Sequence, residues 1–288
     1  MQIAQLYASR RPLLSFEVFP PKKEAEMENI GDILAALAKL SPDYISVTYG
    51  AGGSPQTVTR TREIAVAIQS HGIPALSHLT CVGADRDKIR SVVGALHESG
   101  VENILALRGD IPANHQGPVS RDYRYASELV AEIKGLNGFC VGAACYPEGH
   151  IECDILSHNF DHMKAKEAAG ADFFITQLFF DNDYFYRFVE LARREGIESP
   201  ISAGVMPILS RSQVERMIFM CGVSLPSAII KLLHRYGDNP SDLRKAGIEH
   251  AAAQGEFLLR HGVDGVHLYT MNQPDIAEQV VPRLREAL

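Results

Sequence analysis

The chain has 288 residues, a formal net charge of −7, 46% hydrophobic residues and 22% charged residues, a composition typical of soluble globular proteins. The acidic balance and the lack of any Lys/Arg-rich run argue against a nucleic-acid partner and an anionic-membrane surface, so we expect small-molecule partners. Because the sequence shows neither a signal-peptide pattern nor about 18 consecutive apolar residues, we expect a cytoplasmic protein that does not enter a membrane.

Short apolar runs with the two-residue period of strands alternate along the chain with segments whose period is near 3.6 residues. The strand-like runs lie near residues 13–19, 44–49, 74–81, 103–108, 139–146, 173–180, 200–206 and 265–271. The helical patterns between them include residues 30–40, 57–70, 88–99, 125–134 and 184–194. A longer helical stretch, from about residue 226 to 261, separates the seventh and eighth runs.

This alternation decides between two α/β folds. Eight strand-and-helix units in a chain of this length predict a single (β/α)8 (TIM) barrel over residues 1–288, with an extra helical segment between strands 7 and 8. The alternative, a doubly wound sheet, requires a glycine fingerprint after the first strand. Residues 19–23, Phe-Pro-Pro-Lys-Lys, do not supply one, so we favour the barrel.

Glu17 stands inside the first strand-like run, which is otherwise mostly apolar. With a two-residue period, Ser15, Glu17 and Phe19 share one face of that strand. Burying a carboxylate is costly unless it is paired or its pKa rises, which makes Glu17 a candidate proton donor with a raised pKa. The alternative is a structural carboxylate that a buried arginine or backbone N–H groups satisfy.

Polar residues concentrate at the carboxyl ends of the predicted strands, where barrel enzymes carry their chemistry. They are Glu17, Thr48, Tyr49, His78, Thr80, Arg108, Asp110, Tyr146, Glu148, His150, Gln177, Asp181, Tyr269, Thr270 and Asn272. Such a concentration at one end of apolar strands predicts a single ligand-binding mouth. His78 taken alone is more typical of a hydrogen-bonded core histidine than of a catalyst.

Two glycine-containing segments of the predicted mouth are candidates for anion contact. Arg108 and Asp110, two apart, are expected on one strand face, and Gly109 between them lets a flat group or a phosphate approach the backbone. Residues 50–55, Gly-Ala-Gly-Gly-Ser-Pro, lead into a predicted helix whose first N–H groups are available to an anion. A tight turn is the more common reason for such a loop.

The five cysteines, an odd number without a Cys-x-x-Cys pair, indicate reduced thiols rather than a disulfide framework. Cys145, His150, Cys153 and His158 are candidate metal ligands, but their spacing matches none of the compact pairs found in small zinc sites. We therefore expect core thiols and no metal.

Several short motifs occur in order along the chain. They are Ser-Phe-Glu-Val-Phe-Pro-Pro-Lys at 15–22, Ser-Val-Thr-Tyr-Gly-Ala at 46–51, His-Leu-Thr-Cys at 78–81, Leu-Arg-Gly-Asp at 107–110, Tyr-Pro-Glu-Gly-His at 146–150, Gly-Ala-Asp at 170–172 with Thr-Gln-Leu-Phe-Phe-Asp at 176–181, and His-Leu-Tyr-Thr-Met-Asn at 267–272. Together, over about residues 10–275, they resemble the methylenetetrahydrofolate reductase family.

The resemblance implies an FAD-dependent oxidoreductase that reduces 5,10-methylenetetrahydrofolate to 5-methyltetrahydrofolate, takes electrons from NADH or NADPH, and serves methionine and one-carbon metabolism. It also implies a homo-oligomer whose barrels hold FAD non-covalently at the strand ends. Glu17 matches the family's general acid, which protonates a folate ring nitrogen so that the ring opens to an iminium. Asp110 matches an aspartate that lies near the flavin and contacts the pterin.

The family's other site positions carry over residue by residue. The residues that match positions around FAD are Thr48, Tyr49, Ala51, His78, Arg108, Gly109, Asp110, Ala126, Tyr146, His150, Asp161, His162 and Lys166. The residues that match the folate site are Glu17, Asp110, Gln177 and Gln273. The resemblance thus implies Glu17 and Asp110 as the catalytic residues.

The chain departs from the family pattern at three places. Arg211 stands where well-known bacterial members carry an aromatic residue, and Gln273 stands where they carry an arginine. Asn159, with Asp161 close by, stands near the place of an aspartate that helps to hold FAD. Two alternatives therefore stay open: a flavin-bearing subunit that a partner protein reduces, and a barrel enzyme without flavin, such as a pterin-binding methyltransferase.

Overall fold

The computed structural model describes residues 1–21, 23–49, 55–111, 122–153 and 155–288. Eight parallel strands close into a barrel in the order of the chain, so that the eighth strand lies beside the first. The strands are β1 (Leu13–Val18), β2 (Tyr44–Val47), β3 (Ala75–Thr80), β4 (Asn103–Leu107), β5 (Cys140–Cys145), β6 (Phe173–Thr176), β7 (Ile201–Val205) and β8 (Gly265–Tyr269). The predicted (β/α)8 barrel is confirmed.

Helices surround the barrel. In the described part of the chain they are α1 (Ile3–Tyr7), α2 (Glu24–Met27), α3 (Ile30–Lys39), α4 (Pro55–Ser70), α5 (Arg86–Glu98), α6 (Ala126–Gly135), α7 (Leu156–Ala168), α8 (Asn182–Arg194), α9 (Arg211–Cys221), α10 (Ser227–Tyr236), α11 (Pro240–Arg260) and α12 (Pro274–Arg285). The extra helical segment predicted at 226–261 corresponds to α10 and α11. Across the described ranges, none of these helices combines the length and the apolar character needed to cross a membrane.

The strands are buried on both faces because the sheet is covered on both sides, and the inward face also carries polar residues such as Ser15, Ser46 and His267. Side chains alternate along β1: Leu14, Phe16 and Val18 pack outward into the main core between sheet and helices, whereas Leu13 packs into the bore. Glu17 shares the inward face with Leu13. The strand pattern therefore delivers this carboxylate to the inside of the barrel, near its carboxyl end.

The short amino-terminal helix α1 closes the end of the barrel that lies opposite the strand carboxyl ends. Asn103, buried at the start of β4, accepts a hydrogen bond from Ile3 N at 2.8 Å and donates one to Met1 O at 3.1 Å. On the other side of the bore, Tyr7 Oη lies 2.8 Å from Ser202 Oγ of β7. With this end sealed, a ligand has access to the bore only from the carboxyl end.

Helices α9 and α10 form a small apolar core of their own with residues that follow β6 and β7. Helix α9 begins soon after β7, and the segment after it reaches the loop that follows β5, where Ser224 N donates to Glu148 Oε2 at 2.8 Å. Helix α9 thus crosses the carboxyl side of the barrel and forms a wall of the mouth.

The backbone of α11 lies directly against the loop that follows β7. A Cβ atom added at Gly247 would lie 1.8 Å from Ile208 O, so only glycine permits this approach. The contact fixes the position of the loop from which α9 starts.

We predict that Gly247→Ala lowers the free energy of unfolding by about 1–3 kcal/mol, because the added methyl forces α11 away from Ile208. Gly94→Ala in α5 is the matched control, since nothing lies within 4 Å of the added methyl there. In an ordinary helix interior this change stabilises by roughly 0.5–1 kcal/mol. Urea unfolding followed by circular dichroism measures both variants, and equal effects would contradict the close packing at Gly247.

Candidate active site

The carboxylate of Glu17 lies at the centre of a polar cluster in the barrel mouth. β1 is hydrogen-bonded to both of its neighbours, which sets Glu17 level with Ser46 of β2 and with Tyr269 of β8. Two residues earlier, Ser15 is level with His267 of β8. Since side chains two apart on a strand point the same way, these residues share the inside of the barrel.

Three groups converge on one oxygen of that carboxylate. Glu17 Oε2 lies 3.4 Å from Ser46 Oγ, 3.5 Å from His267 Nε2 and 3.5 Å from His78 Nε2. His267 is fully buried, and its Nδ1 lies 2.7 Å from Ser15 Oγ, which fixes the ring orientation. These contacts all use Oε2, and the Glu17 side chain is 18% exposed.

The pKa of Glu17 lies below its ordinary value in this structure. Burial raises the pKa, but a hydrogen bond from His267, the nearby His78 ring and a hydrogen bond from Ser46 favour the ionised form and outweigh burial. The raised pKa predicted from the sequence is therefore wrong here, because neighbouring strands supply donors around the carboxylate. Two imidazoles and a hydroxyl surround it, in place of the arginine or backbone N–H groups of the structural alternative.

His78 is buried, and burial lowers its pKa to about 4, so the ring is neutral near pH 7. A neutral imidazole carries one N–H and one bare nitrogen. Its Nε2 lies 3.5 Å from Glu17 Oε2 and has no hydrogen-bond partner among the described residues. The predicted cofactor residue His78 thus lies with the acid of the site.

The place of His267 beneath Glu17 was not predicted from the sequence. The sequence feature that could have indicated this placement is the spacing of His267 and Tyr269, which lie two residues apart on β8, the strand that pairs with β1. The strand pairing turns that spacing into a contact, and pairing register cannot be read from a single strand-like run.

A cavity of about 880 Å³ lies in the mouth at the carboxyl ends of β4 and β5, against α6 and α7. The predicted cofactor residues that line it are Arg108, Ala126, Tyr146, His150, His162 and Lys166. Residues from four separate elements thus meet around one space, but Glu17 does not line it.

Two cationic side chains of the cavity wall are available to an anion. Nη2 of Arg108 is buried and has no hydrogen-bond partner among the residues that the structure describes. Lys166 is also buried, and its Nζ donates to Ala144 O at 2.6 Å. Burial lowers the pKa of Lys166 to about 8, which leaves it mostly charged at pH 7. A bound phosphate would therefore meet two positive groups.

Aromatic rings make up much of the remaining wall. The ring of Tyr146 meets His150 edge-on at 4.7 Å between centroids, and Tyr125 lies 5.1 Å from His162. Burial raises the pKa of Tyr146 to about 12, so its hydroxyl stays neutral. Together with the cations, these rings suit an extended ligand that carries both flat ring systems and anionic groups.

The predicted residues after β2 do not line this cavity. Thr48 N donates to Val18 O at 3.0 Å and continues the pairing of β2 with β1. Tyr49 lines a separate cavity of about 90 Å³ together with His78. Ala51 and the glycine-rich loop around it lie outside the described residues.

The turn after β4 differs from the prediction. β4 ends at Leu107, so Arg108 and Asp110 lie beyond the strand and do not share one of its faces. Gly109 has a φ of +88°, and a Cβ there would lie 2.7 Å from Val82 Cγ1. The left-handed turn and its packing on the segment after β3 therefore require glycine at position 109. The sequence interpretation attributed this glycine to the approach of a ligand. Arg108 lines the cavity, whereas Asp110 is exposed and outside its wall.

Asp161 also lies outside the cavity. It stands on the exposed side of α7, with its Oδ1 3.4 Å from Lys164 Nζ. Asn159 is buried in the wall, and its Oδ1 accepts a hydrogen bond from His150 N at 3.0 Å. The amide at position 159 therefore holds the His150 loop at this part of the wall.

Two further predicted folate residues, Gln177 and Gln273, follow β6 and β8, which flank β7 in the barrel. Gln177, directly after β6, accepts a hydrogen bond from Leu178 N through its own side chain at 2.9 Å. Gln273, directly before α12, accepts one from Arg244 Nη2 at 2.8 Å, and the same nitrogen donates to Asp275 Oδ2 at 2.8 Å. The guanidinium of Arg244 in α11 thus lies beside Gln273, at the position where the resemblance leads us to expect an arginine.

Arg211 is the first residue of α9, and its guanidinium lies against the end of α10. A Cβ added at Gly237 would lie 2.4 Å from Arg211 Nη2. Carbonyl groups at a helix carboxyl end favour a cation, which accounts for this placement.

The cysteines are free thiols, and Cys81, Cys140 and Cys145 are buried. Cys153 Sγ lies 3.4 Å from Ile155 O. Within the described ranges, no three His, Cys, Asp or Glu side chains are grouped so as to hold a metal ion.

Known proteins resemble this chain over nearly its whole length. The sequence model of the family described as methylenetetrahydrofolate reductase matches residues 2–285. The 5,10-methylenetetrahydrofolate reductase of Pectobacterium carotovorum is 32% identical over 265 residues, which cover 92% of this chain and 87% of that protein. Methylenetetrahydrofolate reductase (NADH) 1 of Arabidopsis thaliana is 36% identical over 272 residues, and these cover 90% of this chain but 46% of that protein.

The chain thus spans about half the length of the plant relatives that it matches, 46% to 50%. Among solved structures, a Clostridium thermocellum protein described as binding two copies of 5-methyl-5,6,7,8-tetrahydrofolic acid superimposes with a TM-score of 0.67. That match covers 99% of this chain and 98% of the other at 16% identity, which shows the shared fold alone. The family match over residues 2–285 and the bacterial relative lead to one assignment: the chain belongs to the methylenetetrahydrofolate reductase family.

Proposed function

We propose that this protein is a flavin-dependent oxidoreductase that reduces 5,10-methylenetetrahydrofolate to 5-methyltetrahydrofolate, with FAD as cofactor and NADH or NADPH as electron donor. Family membership supports the substrate and the reaction. The observation that carries the proposal is that Glu17, near the carboxyl end of β1, and a cavity with cationic and aromatic walls lie at the same end of the parallel barrel.

The cavity residues fit FAD chemically. The buried Nη2 of Arg108 offers an unused donor, and Lys166 adds a positive charge, so the wall suits a pyrophosphate. Tyr125 and Tyr146 offer ring surfaces to the flat parts of the cofactor. FAD, when bound, supplies the hydride that the folate carbon accepts.

Glu17 supplies the proton in this proposal. It is ionised near pH 7 in this structure, so it must take up a proton before it donates one. A substrate packed over Oε1 removes solvent from the open side of the carboxyl and raises its pKa. Ser46 and His267 hold Oε2, which leaves Oε1 as the oxygen that meets the folate ring nitrogen.

A second candidate function is a flavin-bearing subunit that a partner protein reduces. The observation that favours it is Arg211, whose guanidinium lies against the end of α10 at a position where the resemblance leads us to expect an aromatic ring. A nicotinamide nucleotide that stacks on such a ring would lose about 0.5–1.5 kcal/mol of binding free energy without it.

We predict that the purified protein is yellow and that its affinity for FAD falls as the pH rises above about 8, since Lys166 then loses its proton. Only the ammonium form attracts phosphate, so affinity is full below that pKa and falls above it. Lys166→Arg should abolish this pH dependence, because arginine stays charged. Fluorescence titration of FAD measures it, with the exposed Lys164→Arg as control. An unchanged pH dependence in Lys166→Arg would remove Lys166 from the phosphate site.

We predict that Glu17→Gln slows oxidation of the reduced flavin by methylenetetrahydrofolate at least about 10²-fold and leaves flavin reduction by the donor nearly intact. In the unmodified protein, the folate step should slow as the pH rises, because the low pKa of Glu17 makes its neutral form scarcer. The donor step should not share that slope. Stopped-flow absorbance at the flavin band separates the two steps, and equal slowing of both would make Glu17 structural.

We predict that NADH or NADPH bleaches the bound flavin with a weak apparent affinity, which Arg211→Phe improves by restoring a ring surface. Arg216→Phe on the same helix, five residues further on, is the matched control. Stopped-flow bleaching over a range of donor concentrations measures the affinity. If a chemical reductant bleaches the flavin and neither nucleotide does, a partner protein must deliver the electrons.

A further inference from the structure

An ion pair stands in the wall of the large cavity. Arg108 Nη1 lies 2.6 Å from Glu152 Oε2, and both residues line the cavity. The Arg108 side chain is 24% exposed and that of Glu152 is 45% exposed. A carboxylate of the protein itself therefore occupies part of the guanidinium that best suits an anionic ligand.

Arg108 does not depend on Glu152 alone for its orientation. Its Nε donates to Gly109 O at 3.2 Å, which holds the guanidinium at the end of β4. Its Nη2 is buried without a hydrogen-bond partner in the described residues. Arginine stays charged at any physiological pH. The site thus keeps a fixed positive charge with one spare donor, whether or not Glu152 is in contact.

Glu152 stands in the turn that follows β5. Its backbone N donates to His150 Nδ1 at 3.1 Å, which fixes the main chain of the turn. Its half-exposed side chain contacts only Arg108 in the described part of the chain. The hydrogen bond from Arg108 lowers the pKa of Glu152, so the carboxylate stays ionised near pH 7. The side chain is therefore a permanent anion on a short tether, free to turn into solvent.

We propose that Glu152 is an internal anion that competes with ligand phosphate groups for Arg108 and thereby weakens every phosphate ligand of the cavity. The proposal rests on the proposed function only in naming FAD as the ligand. A phosphate that reaches both Nη groups of Arg108 must displace the Glu152 carboxylate. One charge-assisted contact then replaces another, and the net gain in binding free energy is smaller than a phosphate would obtain from an unpaired arginine.

The competition affects small anions and a dinucleotide to different extents in how far they occupy the cavity. The same factor weakens all phosphate ligands, but a dinucleotide also contacts the aromatic wall of Tyr125 and Tyr146. Inorganic phosphate and pyrophosphate have no such additional contacts. Glu152 therefore leaves the ratio of the two affinities unchanged, but it lowers the occupancy of the site by weakly bound small anions more than the occupancy by a tightly bound dinucleotide.

The opposite role for Glu152 makes an opposite prediction. A carboxylate that merely positions Arg108 for the ligand would strengthen binding, so its neutralisation would weaken the affinity for phosphate ligands. Glu152→Gln separates the two roles, because glutamine keeps the size of the side chain and removes its charge.

The experiment is calorimetric titration of flavin-free protein with FAD and, separately, with inorganic pyrophosphate. We expect Glu152→Gln to bind both ligands about two- to fivefold more tightly, the range for a half-exposed ion pair, and with a steeper dependence on salt. Glu152→Ser should act in the same direction. Glu190→Gln removes the same charge from an exposed ion pair with Arg194 on α8 and should change neither affinity. In an Arg108→Gln background, Glu152→Gln should have no effect.

Each outcome decides a different point. Unchanged or weaker binding of both ligands by folded Glu152→Gln protein overturns the inference and leaves the flavin proposal intact. Tighter pyrophosphate binding by a protein that takes up no FAD upholds the anion competition and overturns the proposed cofactor. Failure of every variant to bind either ligand overturns both.

Discussion

The closed hydrogen-bonded ring of strands is the constraint on which the site depends. β1 is paired on both sides, so Glu17 cannot shift along the barrel axis without breaking ladders with β2 and β8. The same register brings Ser46 and His267 to one carboxylate oxygen. Among the described residues, the groups that set the proton affinity of Glu17 belong to the strands of the scaffold. A substrate changes that affinity only from the side of the mouth that the strands leave open.

The mouth divides its chemistry between two sides. Proton chemistry gathers at β1, β2, β3 and β8, where Glu17 meets two imidazoles. Positive charge gathers at β4, β5 and α7, where Arg108 and Lys166 line the large cavity. This separation keeps the carboxylate of Glu17 away from the cations that would hold it ionised, since opposite charges at close range lower a carboxyl pKa. Helix α9 follows β7, and the segment after it contacts the loop that follows β5.

Much of this arrangement could be predicted from the sequence, because parallel barrel strands are buried on both faces and appear as apolar runs. Polar residues at strand ends also converge by geometry, and six predicted residues share the cavity. Contacts between elements remote in sequence could not be predicted. The pKa of Glu17 depends on residues from β2, β3 and β8, and the pairing of Arg108 with Glu152 depends on how two loops fold. The sequence interpretation attributed Gly109 to the approach of a ligand, because the packing of Gly109 against Val82 cannot be detected in a local sequence pattern.

The contacts by which helix α1 closes one end of the barrel bear on the order in which the chain folds. Tyr7 and its partner Ser202 lie 195 residues apart in the sequence, and Ser202 belongs to the seventh strand. Helix α1 has five residues, too few to be stable alone in water. It therefore gains stability only by docking on a sheet that already includes β7. Closure of the bore is therefore a late folding step between residues remote in sequence. Its entropic cost arises after the local strand-and-helix units have formed.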